Sequence, residues 1–191
     1  MDNNNVKLSK TISYALRHRP EEFGLKLDSE GWVNISDLIS SLKSHSPSTS
    51  VTKEDIDNII NESEKKRFEI SGEKIRATYG HSVERKIEFE ESVPPDELFH
   101  GTSFEAAKKI YTDKEGIRPM ERQYVHLSSD VDTAIIVGKR HTKHCNGGVA
   151  LFTVDAKRMH DDGFRFIHSA NDGTWMCDRV PFKYITMSFH H

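Results

Sequence analysis

The chain is predicted to fold as an α+β protein in two lobes, and three features of the sequence carry that expectation. Apolar residues recur at helical spacing through much of its first third. An alternating segment with a glycine turn follows at 67–77. Beyond the proline pair Pro94-Pro95, short alternating runs are separated by short helical ones. A length of 191 residues suits two small domains or one generous one, since domains commonly run about 100–150 residues.

From 7 to 18, Leu8, Ile12, Ala15 and Leu16 recur at helical spacing, and Pro20 forbids easy continuation, so Arg17 and His18 fall in a last turn. Leu25 and Leu27 alternate around Lys26, Asp28-Ser29-Glu30-Gly31 supplies turn chemistry, and Trp32-Val33 resumes, which predicts short extended pieces. Ile35, Leu38, Ile39 and Leu42 begin a second helix behind Asn34 or Ser36. A Ser/Pro loop at 44–50 separates it from a third. Thr52 through Asp55 forms a capping-box variant that opens this third helix, lined by Ile56, Ile59 and Ile60. Phe68 and Ile70, the turn Ser71-Gly72-Glu73 and Ile75-Arg76-Ala77 then predict a hairpin. Three helices followed by a small β wing suggest a winged-helix lobe over residues 1–92, ending in the charged, proline-containing linker at 90–97.

In the second lobe, 93–191, Leu98-Phe99-His100 is extended, a helix is expected over 103–111, and Tyr124 through Ser128 is extended again. A short helix at 130–137, a strand at 149–154 and extended pieces at 175–176 and 182–185 complete the pattern of an α+β lobe rather than a parallel βαβ series.

Composition narrows the function. Thirty acidic against 27 basic residues give a net charge of -3, spread evenly over both halves, so any contact with a polyanion is local and involves few phosphates. No apolar run reaches the roughly 18–20 residues of a membrane helix. The start, Met1 to Lys7, lacks secretory or transit character, so a cytoplasmic protein is expected, with the nucleus also open. Cys145 and Cys177 are too few for a disulfide scaffold. The dinucleotide glycine fingerprint, the P-loop and the Gly-x-Ser-x-Gly elbow are all missing. The run His141-Thr142-Lys143-His144-Cys145 sits among cations without a second ligand pair, so no metal is assigned. His190 and His191 resemble a tag remnant and are set aside.

Several residues have the right chemistry for an anion. Arg17, His18 and Arg19 lie at a helix end, where cations are favoured by the helix dipole alone, and where Arg and His could equally grip a phosphate. Lys65-Lys66-Arg67 opens the hairpin and reads either as a solvated edge or as part of such a grip. Phe99-His100-Gly101-Thr102 could hold a polar ring against the main chain, or could be an ordinary strand-to-helix turn with Thr102 or Ser103 as cap. From Arg122 to Ser128, alternation puts Tyr124, His126 and Ser128 on one face.

Taken in order, Leu8-Ser9-Lys10, Ser13 through His18, Asp28 through Trp32, Lys66-Arg67-Phe68, Tyr79-Gly80-His81-Ser82, Phe99 through Thr102 and Arg122 through Ser128 resemble the NAD-dependent RNA 2′-phosphotransferase family across nearly the whole chain. The resemblance implies a winged-helix lobe that contacts RNA, an ADP-ribosyltransferase-like lobe that binds NAD as co-substrate, and a cleft between them. The implied reaction moves an internal RNA 2′-phosphate, as left by tRNA splicing, onto the nicotinamide ribose. Nicotinamide is expelled to give an RNA 2′-phospho-ADP-ribose intermediate, which resolves into 2′-hydroxyl RNA and ADP-ribose 1″,2″-cyclic phosphate. The family's Arg-His-Arg-Arg catalytic group maps to Arg17, His18, Arg67 and Arg122. Arg17, His18 and Arg67 are expected to hold the RNA phosphate, and Arg122 to bridge it to the NAD pyrophosphate. His100, Gly101, Thr102, His126 and Ser128 correspond to the nicotinamide-ribose site, and Gly116 and Ile117 to the adenylate side. Arg76 and His81 are adjacent substrate-binding candidates, as is Arg140 after Gly138-Lys139. A tRNA partner and a monomer are expected. Two alternatives stand beside this: NAD-dependent ADP-ribosylation of terminal RNA or DNA phosphates, and a winged-helix regulator without catalysis.

Overall fold

The computed structural model describes residues 3–46, 50–63, 66–142, 148–169 and 173–190. It is a mixed α/β protein with two antiparallel sheets, and its contacts divide into two compact units, the first running through Phe89 and the second beginning at Glu90. The boundary expected at 92/93 falls just inside the second unit.

The first unit starts with α1 (Asn3–Arg17), which buries Ile12, Ala15 and Leu16 completely. A 3-10 turn, Pro20–Phe23, follows and ends at Gly24 with φ 63°. The extended pieces expected around Leu25 and Leu27 do not form. Asp28 instead accepts backbone hydrogen bonds from Glu30 (3.1 Å) and Trp32 (2.9 Å), and this local turn leaves only β1 (Val33–Asn34) to pair. Next come α2 (Ile35–His45) and α3 (Lys53–Glu62), then β2 (Phe68–Ser71) and β3 (Lys74–Ala77). The expected loop at 44–50 begins later than its serines suggest, because α2 runs through His45; residues 47–49 lie outside the described ones. Strand order is β1-β3-β2, with Ile70 opposite Ile75 and Val33 opposite Ile75 on the other side. Leu38, Leu42, Ile56, Ile59 and Ile75 join the α1 residues in one core.

The capping box predicted for α3 is present. The Thr52 hydroxyl accepts from Asp55 N (3.2 Å), and the Asp55 carboxylate accepts from Thr52 N and Oγ1 (both 2.8 Å). Those hydrogen bonds hold the Asp55 carboxyl below its ordinary value. Replacing Thr52 by Ala is expected to cost about 1 kcal/mol of unfolding free energy, read from the shift of the urea midpoint at constant slope. Because the folded carboxyl titrates below the unfolded one, Asp55's contribution is fully present above about pH 4 and disappears as acid passes the folded value.

The second unit is built on a six-stranded sheet. Along the chain lie β4 (Glu97–Ser103), α4 (Phe104–Asp113), β5 (Val125–Ser128), α5 (Val131–His141), β6 (Val149–Asp155), α6 (Ala156–Asp161), β7 (Ile167–His168), β8 (Thr174–Cys177) and β9 (Ile185–His190). The order across the sheet is β7-β8-β5-β4-β6-β9. The helix α6 was not expected, although Asp155, which accepts from Arg158 N at 3.1 Å, is an N-cap signal in front of the buried Ala156 and Met159. Phe182–Tyr184 is a 3-10 turn rather than extended, because Tyr184 N closes back on Pro181 O and the Tyr184 hydroxyl donates to Asp162; the strand begins only at Ile185. Among the described residues no helix is long and apolar enough to cross a membrane.

Two glycines fix how α5 lies on the sheet. A Cβ on Gly101 would sit 1.8 Å from the Ala134 carbonyl oxygen, and one on Gly138 would sit 2.6 Å from Val149 Cγ1 and 3.0 Å from the Gly101 carbonyl carbon. Backbone therefore meets backbone where α5 crosses β4, and side chains are excluded from both positions.

Candidate functional site

Arg17 and His18 end α1, whose last turn is closed by His18 N and Arg19 N donating to Tyr14 O at 3.0 and 3.1 Å. Arg67 lies 50 positions later, immediately before β2. The two are joined directly: Arg17 Nη2 donates to the Arg67 carbonyl at 3.2 Å, an oxygen that also accepts from Thr78 N at 3.1 Å. The Arg67 guanidinium donates to Ser63 Oγ at 2.8 Å. The Arg17 guanidinium lies 4.6 Å from the centre of the Tyr79 ring, a cation–π contact. Gly80 then takes φ 84°, which an L side chain adopts only with strain, and the chain turns back so that Ser82 N donates to Arg17 O at 2.9 Å. Ser82 Oγ meets His18 Nδ1 at 2.8 Å. His18 and Arg67 line a groove of about 340 Å³ with Ser9, Lys10, Ser13 and Tyr14 of α1.

His81 is 2 % exposed, and its Nε2 has no hydrogen-bond partner. Burial, then the charges of Arg17, His18 and Arg76, push its pKa down to about 3. The ring is neutral at pH 7 and packs within the field of the basic cluster. Unfolding lets it take up a proton from its ordinary value near 6.5, so stability is expected to fall as pH drops from about 6.5 toward 3, by about 1.4 kcal/mol per unit at most for one such group. His81→Leu should flatten that limb, seen as a weaker pH dependence of the urea midpoint between pH 6.5 and 4; an unchanged slope would assign the limb elsewhere.

Arg76 is engaged by other groups. Its Nη2 and Nε both lie 2.9 Å from Glu69 Oε2, Nη1 lies 3.8 Å from Glu30 Oε2, and the guanidinium stacks 4.4 Å from the Trp32 ring centre. These contacts tie Arg76 to Glu30, Trp32 and Glu69.

In the second unit, β4 and β5 share a single paired rung, Phe99 with Ser128, whereas β4 and β6 share seven. Beyond that rung the His100 side chain reaches across: its Nδ1 donates to the His126 carbonyl at 2.9 Å. His126 in turn donates Nδ1–H to Tyr124 O at 3.0 Å. Each Nδ1 therefore carries a proton, since a carbonyl only accepts. Thr102 and Ser128 are buried hydroxyls on the same two strands, and the adjacent Ser103 caps α4 by accepting from Ala106 N at 3.3 Å. Gly116, with φ 86°, comes against Val180, where a Cβ would lie 2.0 Å from the carbonyl oxygen. Ile117 is buried in the core, and its N–H and C=O are both spent on Val180 at 2.8 and 2.9 Å. Arg122 is exposed in the bend before β5, and Arg140 is exposed on α5. The Cys177 thiol is buried, and burial pushes it up to about 12, which makes it a packing residue. No cluster of metal ligands occurs among the described residues, and Lys143, His144 and Cys145 lie outside them.

Tyr79 and Ser82 lie in a block that carries the resemblance but receive no role from it, and Ser63 is not singled out by the sequence; all three support the basic cluster. Ser82 is 64 positions from His18, and no local periodicity encodes a contact of that separation.

A guanidinium–imidazole cluster on one helical unit, with a second unit carrying buried hydroxyls and histidines held on backbone carbonyls on a six-stranded sheet, defines a two-unit α/β protein suited to phosphorylated ligands. The model of the RNA 2′-phosphotransferase, Tpt1 / KptA family, matches residues 3–179. The chain belongs to that family. It is 46% identical over 179 residues to a probable RNA 2′-phosphotransferase of Acetivibrio thermocellus, with 94% of each chain covered. Proteins described in the same words from Agrobacterium fabrum and Bacillus thuringiensis are 44% and 41% identical. The aligned parts cover 94% and 96% of this chain, and 92% and 95% of those relatives.

Proposed function

We propose that the protein transfers an internal 2′-phosphate from RNA to NAD, yielding 2′-hydroxyl RNA, nicotinamide and ADP-ribose 1″,2″-cyclic phosphate, with spliced tRNA as the RNA class. The observation that carries this reading is the coupling of Arg17, His18 and Arg67: two chain segments 50 residues apart are hydrogen-bonded together, with His18 and Arg67 on one groove. A phosphomonoester dianion needs fixed donors of this kind. Arg supplies planar forks and His a second, titratable donor, and preorganised donors are worth most where charge is concentrated. Three helices with a β1-β3-β2 sheet, whose β2–β3 hairpin follows α3, support a winged-helix reading of the first unit, on the RNA side.

The second unit has a donor set that fits NAD. His100 and His126 are held by Nδ1–H on backbone carbonyls and Thr102 and Ser128 offer hydroxyls, hydrogen-bonding groups suited to a ribose and a carboxamide. Gly101 supports them by letting α5 approach β4, and Gly116 and Ile117, both buried against Val180, back the adenylate side. Arg122 is the cation assigned to the pyrophosphate. NAD, when bound, supplies an electrophilic ribose carbon with nicotinamide as leaving group. This chain's residues orient the phosphate, and His18 donates a proton toward the departing RNA oxygen.

The test is incubation with NAD and a 2′-phosphorylated RNA, followed by mass identification of both products. Release of nicotinamide with the cyclic phosphate supports the reading. A stable ADP-ribosylated RNA end would replace it with terminal-phosphate ADP-ribosylation, and binding without nicotinamide release would make the protein a non-catalytic RNA binder.

A further inference from the structure

We propose that Ser82 is a positioning residue for His18, holding the imidazole by Nδ1 so that Nε2 is the nitrogen presented to the RNA phosphate in both charge states of the ring. The inference rests on the phosphate-transfer reading only for the identity of the ligand; the Ser82–His18 pair stands on its own geometry.

Ser82 makes two contacts to consecutive residues at the end of α1: its N–H donates to Arg17 O at 2.9 Å, and its hydroxyl meets His18 Nδ1 at 2.8 Å. The two residues before it fix the segment that delivers it. Gly80 turns the chain at φ 84°, and His81 is buried against Phe89, with ring centres 5.8 Å apart. Ser82 therefore meets the ring from the α1 end, and its backbone anchor does not depend on its side chain.

The chemistry favours a hydroxyl at this point. A hydroxyl both donates and accepts. When His18 is neutral, Ser82 can donate to Nδ1, which leaves the ring proton on Nε2. When His18 is charged, Nδ1–H donates to the hydroxyl oxygen, and Nε2–H is again a donor. A carboxylate, the frequent partner of functional histidines, accepts only; it would hold a proton on Nδ1 and leave the neutral ring an acceptor at Nε2. It would also set a negative charge beside Arg17 and Arg67, against the attraction those groups have for a phosphate dianion. Ser82 orients the ring without that opposing charge.

The experiment compares Ser82→Ala and Ser82→Thr with the parent in turnover of 2′-phosphorylated RNA, and records ¹⁵N signals of the His18 ring in the ligand-free protein, assigned with His18→Gln. Ser82→Ala is expected to lower kcat about 10-fold with KM for RNA changed less than about twofold, as for other partners that orient a functional histidine. Ser82→Thr should restore kcat to within about threefold, because it keeps the hydroxyl. The Nδ1 signal should shift in the Ala variant and not in the Thr variant, with equal melting temperatures. An unchanged kcat and ring spectrum in Ser82→Ala would overturn the proposal. So would a Thr variant as slow as the Ala one, or an effect confined to KM. If the parent fails to release nicotinamide, the functional reading fails while the ring spectra still decide the role of Ser82.

Discussion

Arg17→Ala and Arg67→Ala should each lower turnover of a 2′-phosphorylated RNA by about 10²–10³-fold, the usual loss when one preorganised donor is taken from a developing anion. The melting curve should change far less than the rate, because both residues are only half-buried and the first unit's core includes Ile12, Ala15, Leu16, Phe68 and Ala77, not the arginines. Arg17→Lys is not a conservative control. Its point charge cannot donate to the Arg67 carbonyl, lie on Tyr79 and meet a phosphate at once, as a planar fork can, so a loss close to that of Ala is expected. Arg19 is the internal comparison. It is 58% exposed and paired with Glu21 and Glu22, so Arg19→Ala should leave turnover unchanged. Near-normal rates in both the Arg17 and Arg67 variants would remove the basic cluster from the reaction.

Gly101→Ala should produce the largest loss of stability. The new methyl would lie 1.8 Å from one backbone atom of α5 and 2.6 Å from another, so no side-chain rotation relieves it and the helix must lift from β4. Overpacking commonly costs 1–3 kcal/mol, and a clash with backbone belongs at or above the top of that range, about 3 kcal/mol or more. For a chain of this size that corresponds to a melting temperature lower by about 6–12 °C. Gly163→Ala separates space from backbone angle. Gly163 has φ 89° with nothing within 4 Å of the added carbon, so only the angle is penalised, by about 1 kcal/mol. Equal melting temperatures for the two variants would mean that the close approach of α5 to β4 is not what Gly101 provides. Activity lost in Gly101→Ala alone would not mark the glycine as a ligand, since the same lifting displaces its neighbour His100.

The elements that could be read from sequence are those written in local chemistry. α1 shows the helical spacing of Leu8, Ile12, Ala15 and Leu16 with Pro20 beyond it, α3 shows its capping box, and the β2–β3 hairpin shows alternation about Gly72. Where expectation failed, a side chain had overridden periodicity. Asp28 folds 28–32 into a turn that leaves Leu25 and Leu27 unpaired, and Tyr184 is drawn to Asp162 so that 182–184 coils before β9. The candidate site divides in the same way. Arg17 and His18 are visible as a basic helix end, but their connection to Arg67, Tyr79 and Ser82 arises only when distant segments close. Resemblance singled out Gly101 beside a bound nucleotide, whereas the coordinates supply a packing reason for it that no pattern of spacing contains.

The lone rung between β4 and β5 has a mechanical consequence for the second unit. Its sheet consists of two triplets, β7-β8-β5 and β4-β6-β9, joined by Phe99 opposite Ser128, by the His100 imidazole reaching the His126 carbonyl, and by α5, which packs on β4, β5 and β6. Amide protons within each triplet should exchange slowly and those along the seam quickly, and a shear of one triplet past the other would carry His100 and His126 apart while both ladders remain intact.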